Sequence, residues 1–312
     1  MSYTNLLTIA MPCYERKDYF IAALESALNQ TVKCPVIVVD NCSSHDYFEK
    51  VSKEKGVTYF RNERNIGLFP NQNRCYSLAK TEYVKVLDDD DLLSPVYVES
   101  FLKAKELHPD IDVFFSDYVL LASGRELSHP FTLPFGYMEN GFKVVEYGIK
   151  YRLGFPYMTS AIKKVKAQLD LDVNDCLGGY DWVWVYSNAD QLSFYGDPGK
   201  FHQYRIHDDK ASPKYWQVNL LTVPYIYEKI LLEKISDPKL KKKVSRNVCM
   251  ELIRLKSSSS KKILKEIINS DNRFGKYLNE KLNENVLLKT IYMVPRKLVR
   301  LFFKLFMLTE VF

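Results

Sequence analysis

Four consecutive aspartates, Asp88-Asp89-Asp90-Asp91, follow directly on the apolar run Tyr83–Leu87. No other feature restricts the fold as much. Tyr83–Leu87 reads as a strand, and a buried strand can carry four crowded carboxylates only at its end. Like charges placed together repel, and sequestering them from water raises their pKa values unless a cation is near. A hard divalent ion, Mg²⁺ or Mn²⁺, relieves that repulsion and keeps coordination sites for phosphate oxygens. The competing reading is an exposed acidic turn in which Asp91 or Ser94 caps the following helix. The ends of two earlier strands decide for the first reading, because they are polar as well.

Leu6–Met11 reads as a buried strand that stops at Pro12 and is followed by Cys13-Tyr14. Between Lys17 and Gln30, the residues Phe20, Ile21, Leu24, Ala27 and Leu28 fall at helical spacing. The β-branched run Val36–Val39 ends at Asp40-Asn41, before a polar turn at Cys42-Ser43-Ser44. A strand at Val57–Arg61, a helix at Asn71–Ala79 and a strand from Phe114 to about Asp117 complete the alternation. Such alternation implies a mainly parallel sheet with ligands beyond the carboxyl ends of its strands. There Tyr14 can stack on a base, and Asp40 can accept from a ring N–H or a ribose hydroxyl. Three polar strand ends on one sheet point to a nucleotide pocket. No G-x-G-x-x-G follows the first strand and no G-x-x-x-x-G-K-[ST] occurs, so metal-mediated phosphate binding fits better than a glycine-rich cradle.

The remainder bounds the class of protein. With 46% hydrophobic and 26% charged residues in 312, the chain is globular rather than disordered. Six cysteines form no C-x-x-C pair and no zinc-ligand spacing, so reduced thiols in a cytoplasmic protein are expected. The N-terminus lacks the pattern of a signal peptide, and no apolar stretch is long enough to span a membrane. The net charge of +6 is unevenly spread: residues 1–199 hold 20 basic and 27 acidic side chains, residues 200–312 hold 24 and 11. Residues 120–200 are aromatic and irregular. From Tyr215 to Asn285 the pattern is helical and Lys-rich, with interruptions at Asp237-Pro238 and Ser257–Ser260. Beyond it, Arg296, Lys297, Arg300 and Lys304 fall within about a 100° arc of a helix whose other positions are apolar. A basic stripe beside a wide apolar face suits a helix lying in an anionic membrane interface, and Lys241-Lys242-Lys243 would add attraction. Nucleic-acid binding is not expected, since no binding motif accompanies the charge.

The runs PCYERKDYFIAALESALNQT, VIVVDNCSSHD and NERNIGLFPNQNRCYSLAKTEYVKVLDDDDLLSP resemble, in order and spacing, the family 2 glycosyltransferases. The resemblance covers residues 5–210, approximately. It implies an α/β protein with the GT-A fold: a nucleotide-binding, Rossmann-like mixed sheet flanked by helices, here with a C-terminal helical extension. By this resemblance Asp88 and Asp89 bind the nucleotide sugar, and Asp90 and His207 bind a divalent metal, Mn²⁺ or Mg²⁺. Pro12 and Tyr14 flank the base, Asp40 holds it, and Asn71 and Asn73 lie beside base and phosphates. Many members carry an arginine just before the second asparagine; this chain has Gln72 there, and Arg74 follows. The family's Glu-Asp pair is Tyr180-Asp181 here, which makes Asp181 the catalytic base. Arg205, in Tyr204-Arg205-Ile206-His207, neutralises the leaving group, whereas His202 and Asp117 keep a structural reading.

The expected protein is therefore a metal-dependent, inverting glycosyltransferase of cell-surface glycan assembly. Its donor is a nucleoside-diphosphate sugar, a UDP-sugar first, and its acceptor a lipid-linked saccharide. The expected domains are 1–212, the transferase; 213–285, a helical accessory region; and 286–312, an amphipathic helix holding the protein to the inner face of the cell membrane. Two alternatives stand beside this reading: a sugar-nucleotide nucleotidyltransferase, and an inactive membrane-bound scaffold.

Overall fold

Seven successive buried residues, Leu7–Cys13, form β1. It pairs in parallel with β2 (Val36–Asp40) on one side and β4 (Tyr83–Val86) on the other, and β2 pairs in parallel with β3 (Thr58–Arg61). A strand flanked on both sides and covered on both faces must be almost wholly apolar, as LTIAMPC is apart from Thr8, whose buried hydroxyl bonds that of Thr81 at 2.7 Å. The register sets Cys13 opposite Asp40 and Asp40 opposite Arg61, so these strands end together. The computed structural model describes residues 3–128, 134–151, 155–167, 180–207, 221–271 and 273–301.

The helices of this half follow from their apolar spacing. In α1 (Phe20–Leu28), Phe20, Ala23, Leu24 and Ala27 are buried on one face. α2 spans Tyr47–Glu54 and α4 spans Tyr97–Leu107, the latter burying Tyr97, Val98, Phe101 and Ala104. α3 (Leu68–Leu78) starts three residues before the Asn71 expected from sequence. Pro70 lies in its first turn, where a missing N–H breaks no helical bond, and Gly67 supplies the entry with φ 92°. Phe20, Leu24, Phe48, Tyr83, Tyr97, Phe101 and Phe114 join one core with β1. Burying each such side chain stabilises the fold by about 1.5–3 kcal/mol.

Past β4 the sheet becomes mixed. β9 (Ala161–Lys163) runs antiparallel between β4 and β6 (Val113–Ala122), and β6 pairs in parallel with the long β10 (Phe194–Ile206). β5 (Leu92–Leu93) closes the order β3-β2-β1-β4-β9-β6-β10-β5, while β7 (Arg125–Leu127) and β8 (Gly136–Met138) pair with β6 and β10. This is the mixed sheet flanked by helices that the GT-A resemblance implies. β10 begins in the stretch whose sequence reads as irregular. Gly196, Pro198 and Gly199 break its alternation, and register shifts between Asp197 and Lys200 and between Lys200 and His202 absorb them. Gly196 is needed there, since a Cβ would meet the Phe115 ring at 2.6 Å.

The chain divides into two compact units, residues 1–171 with 188–209, and residues 172–187 with 210–312. α5 (Phe142–Tyr151) belongs to the first, and α6 (Tyr180–Asn188) falls to the second except for its last residue. The second unit is otherwise helical over its described residues. Asp237 caps Pro238–Ser258, Ser260 caps Lys261–Ile268 and Asn285 caps Val286–Met293, each side chain accepting from a backbone N–H of the first turn. The breaks at Asp237-Pro238 and Ser259-Ser260 fall where the sequence shows its interruptions. Residues 286–301 are two helical pieces rather than one, parted at Val294-Pro295, because proline cannot supply the N–H that would continue the helix.

Candidate functional site

The aspartate run leaves β4 close to the end of β1: both Asp40 and Asp89 act on Cys13, whose thiol burial pushes well up. Asp91 is fully buried, Asp89 and Asp90 nearly so, and Asp88 is half-buried. An exposed acidic turn is excluded by this burial. So is the capping role, because α4 starts from Val96 and no side chain caps it.

Buried carboxylates need partners, and Asp89, Asp90 and Asp91 each have one that the sequence reading missed. Arg16 Nη2 reaches Asp89 Oδ1 and lies 2.9 Å from Asp90 Oδ2. It comes from the turn after β1, where Glu15 adopts φ 58°. That turn is held because the Glu15 N–H donates to Ser43 Oγ, while its carboxylate accepts from the Ser44 N–H and hydroxyl. Burial pushes the Asp89 carboxyl up to about 6, with Arg16 opposing and Asp90 adding to the rise. Below the run, the buried Lys85 ammonium donates to the carbonyls of Val86 and Met158. Burial pulls Lys85 down to about 7, and Asp88 and Asp91 pull the other way.

The end of β10 completes the cluster. Asp91 accepts from His202 Nε2 and from the Arg205 N–H, each at 2.9 Å, which fixes β10 against the run. His202 is thus structural, as expected. Arg205 Nε donates to the Asp90 carbonyl at 2.7 Å, and its guanidinium lies 4.7 Å from the Tyr19 ring. His207 places Nε2 2.9 Å from Asp90 Oδ2, with its ring 4.7 Å from Tyr19. Four of the expected site residues, Asp89, Asp90, Arg205 and His207, therefore sit within one network, with Asp88 beside it.

A second network lies at the end of β2. Asp40 is fully buried and accepts from the Ser43 N–H and hydroxyl, the Tyr59 hydroxyl and Arg61 Nη1, at 3.0, 2.6, 2.7 and 3.4 Å. Burial, then Asp40 itself, pushes the Tyr59 phenol up, so it stays a donor. Asn71 donates to the Val39 carbonyl and accepts from Asn62, which also donates to Asn41. Asn73 is half-buried one position beyond Gln72 on the same helix, Pro12 is buried within β1, and Tyr14 is 44% exposed. Asp181 is the second residue of α6; its side chain lies outside the described residues.

The donor set suits a hard cation. Asp88, Asp90 and Asp91 bring carboxylate oxygens within 4.8 Å of one another. Asp91 already serves His202 and Arg205, which leaves Asp88 and Asp90, with His207 beside Asp90, as the groups that could hold an ion such as Mn²⁺.

The family model described as Glycosyl transferase family 2 matches residues 8–164, half of the chain and all of the strands that carry the acid cluster and Asp40. The chain belongs to glycosyl transferase family 2. As a family 2 glycosyltransferase it resembles an uncharacterised glycosyltransferase of Methanocaldococcus jannaschii, with 33% identity over 118 residues. That match spans 36% of this chain and 41% of the relative, so the chain matches about two fifths of that protein. WcaA of Escherichia coli K12, named as a colanic acid biosynthesis glycosyl transferase, is 27% identical over 69% of this chain and 87% of its own length. Among solved structures, residues 1–349 of S. aureus TarS share the fold, with TM-score 0.63 and 14% identity over 95% of this chain and 90% of that one. The same segment has been solved in complex with UDP, where the TM-score is 0.61. The nucleotidyltransferase alternative gives way to the transferase family.

Proposed function

We propose that this glycosyltransferase moves a sugar from a nucleoside-diphosphate sugar, a UDP-sugar first, to a hydroxyl of a lipid-linked saccharide during cell-surface polysaccharide synthesis. The observation that carries the donor half is the buried Asp89–Asp90 pair, edged by Arg16, Arg205 and His207 and placed beyond the strand ends that also present Tyr14 and Asp40. The UDP complex of TarS supports the choice of nucleotide, and the name of WcaA supports polysaccharide synthesis.

In this reading Tyr14 stacks on the base and Pro12 shapes the strand end beneath it. Asp40 accepts from the base once Arg61, its longest and most exposed partner, yields. Asn71 and Asn73, two positions apart on α3, lie next to base and phosphates. Asp88, Asp90 and His207 hold Mn²⁺ or Mg²⁺, which when bound supplies positive charge to the diphosphate oxygens. Arg205 adds a fixed cation for the charge that builds on the departing diphosphate. Asp181 removes the proton of the acceptor hydroxyl, which attacks the anomeric carbon from the face opposite the leaving group and inverts it. The base assignment rests on motif order.

The acceptor half rests on the second unit. Val286, Leu287, Met293, Leu298 and Leu301 are exposed there, among Lys289, Arg296, Lys297 and Arg300. Apolar side chains exposed among lysines and arginines suit the anionic inner face of a membrane, where a lipid-linked acceptor would be met. No described helix is long and apolar enough to cross a membrane.

The deciding experiment is a screen of nucleotide sugars for Mn²⁺-dependent release of the nucleoside diphosphate, with the product's anomeric configuration followed by NMR. Inversion is expected, and Asp181→Asn should slow transfer by about 10²–10⁴-fold with donor affinity unchanged. A retained configuration, or donor affinity falling as far as the rate, refutes the mechanism.

A further inference from the structure

Asp90 Oδ2, the oxygen that a divalent cation would need, already faces two donors, Arg16 Nη2 and His207 Nε2, each at 2.9 Å. Arg16 also bonds Asp89 Oδ1, so one guanidinium spans both buried carboxylates. The donor reading above gives this arginine no task of its own.

A cation arriving alone gains little here. It must replace a positive charge already bound to the same oxygens, so only the difference between the two attractions is available. The guanidinium cannot make way by losing its proton, because arginine stays charged in proteins. It has to move, and it has a route, since its side chain is 23% exposed and reaches in from the turn after β1. Moved without a new partner, it would remain a poorly solvated charge. A diphosphate arriving with the cation removes that cost, because a guanidinium forks onto phosphate oxygens as well as onto carboxylates.

We propose that Arg16 is a counter-ion latch: it neutralises Asp89 and Asp90 until the donor arrives, then passes from Asp90 to the diphosphate as the divalent cation takes its place. Arg16 is on this view a positioning residue that makes cation and nucleotide bind as a pair. The inference rests on the metal-binding reading given above and adds to it a thermodynamic coupling, which must act equally in both directions.

The test is Mn²⁺ binding by the full chain, read as loss of the free-ion EPR signal, with and without saturating UDP. In the wild type, UDP should tighten Mn²⁺ by about tenfold or more, within the usual range of coupling between sites. Arg16→Gln should bind Mn²⁺ alone about tenfold more tightly than wild type and lose most of the UDP effect, a pattern that a merely structural arginine would not produce. Equal or weaker Mn²⁺ binding by Arg16→Gln, with the UDP effect intact, overturns the latch. Thermal unfolding checks that the variant is folded. Should it not be, Arg16→Lys decides, since it keeps the charge but cannot fork between two carboxylates: Mn²⁺ affinity and UDP effect both at wild-type values overturn the latch, and a reduced UDP effect supports it. If neither wild type nor variant binds Mn²⁺ in any condition, the metal reading itself fails and the latch falls with it.

Discussion

The two units handle charge in opposite ways. In the first, carboxylates are buried at strand ends and each contact is specific: Asp40 with Ser43, Tyr59 and Arg61, Asp91 with His202 and Arg205, and Asp89–Asp90 with Arg16. In the second, Lys241, Lys242 and Lys243 are exposed on one long helix, and Lys229 pairs with Glu280 where both are about two-fifths exposed. A buried charge is costly unless paired, so its partners are fixed and its loss is felt; an exposed charge is screened by water and salt. On the reading proposed above, chemistry falls to the acidic end of the first unit and long-range attraction to the basic surface of the second. It also ranks what substitutions should do.

The largest effect belongs to Asp90, where Arg16 and His207 converge. Asp90→Asn should lower the transfer rate by about 10³-fold, the scale of losing one fixed electrostatic group at a reacting centre. Steady-state kinetics with the donor found by the screen checks this. A rate within tenfold of wild type would mean that the burial of Asp90 serves stability alone. Next comes Asp91, whose two charged hydrogen bonds hold β10 to the cluster. Asp91→Asn should cost about 3 kcal/mol in urea unfolding, as each such bond contributes about 1.5–3 kcal/mol. Loss of rate without loss of stability would instead place Asp91 among the reacting groups.

A smaller effect follows from Asp89. Burial raises its folded pKa to about 6, above the unfolded carboxyl range, so the folded state holds the proton more tightly. Stability from this group is complete below about pH 4 and is lost as pH rises through about 6. A divalent cation beside the cluster offsets that loss only where Asp89 is ionised. Mn²⁺ added together with UDP should therefore raise Tm by several degrees at pH 7.5 and by less at pH 5. An equal rise at both values would locate the ion elsewhere.

How much of this was legible depends on how far apart the partners lie. The first four strands read directly, because each is a short apolar run closed by polar residues, and the aspartate run marked the site from its own residues. Asp90 and His207 were singled out through the resemblance, and the fold brings them to 2.9 Å of each other. Arg16 was not, although it follows β1 by three residues and so lies at the same sheet edge; a cation there, in a chain with four aspartates after a neighbouring strand, was the available signal. Asp91 could not be read at all, since its partners are 111 and 114 residues away and its spacing fits a helix cap equally well. β10 was hidden by Gly196, Pro198 and Gly199, which deny a strand its local pattern while bulges and pairing with β6 preserve it.

The weakest effect tests the other side of the comparison. Lys242 is exposed and lies far in sequence from every residue assigned to the donor site. Lys242→Gln should change folding stability by less than about 0.5 kcal/mol, as surface substitutions do. If the basic surface of the second unit faces anionic lipid, the same change should weaken flotation with phosphatidylglycerol-rich vesicles by about fivefold, from about 1 kcal/mol per lysine near the surface. Raising the salt should erase the difference, because the attraction fades within a Debye length. Flotation equal to that with neutral phosphatidylcholine vesicles, and unmoved by the substitution, would leave the charge of the second unit without a membrane role.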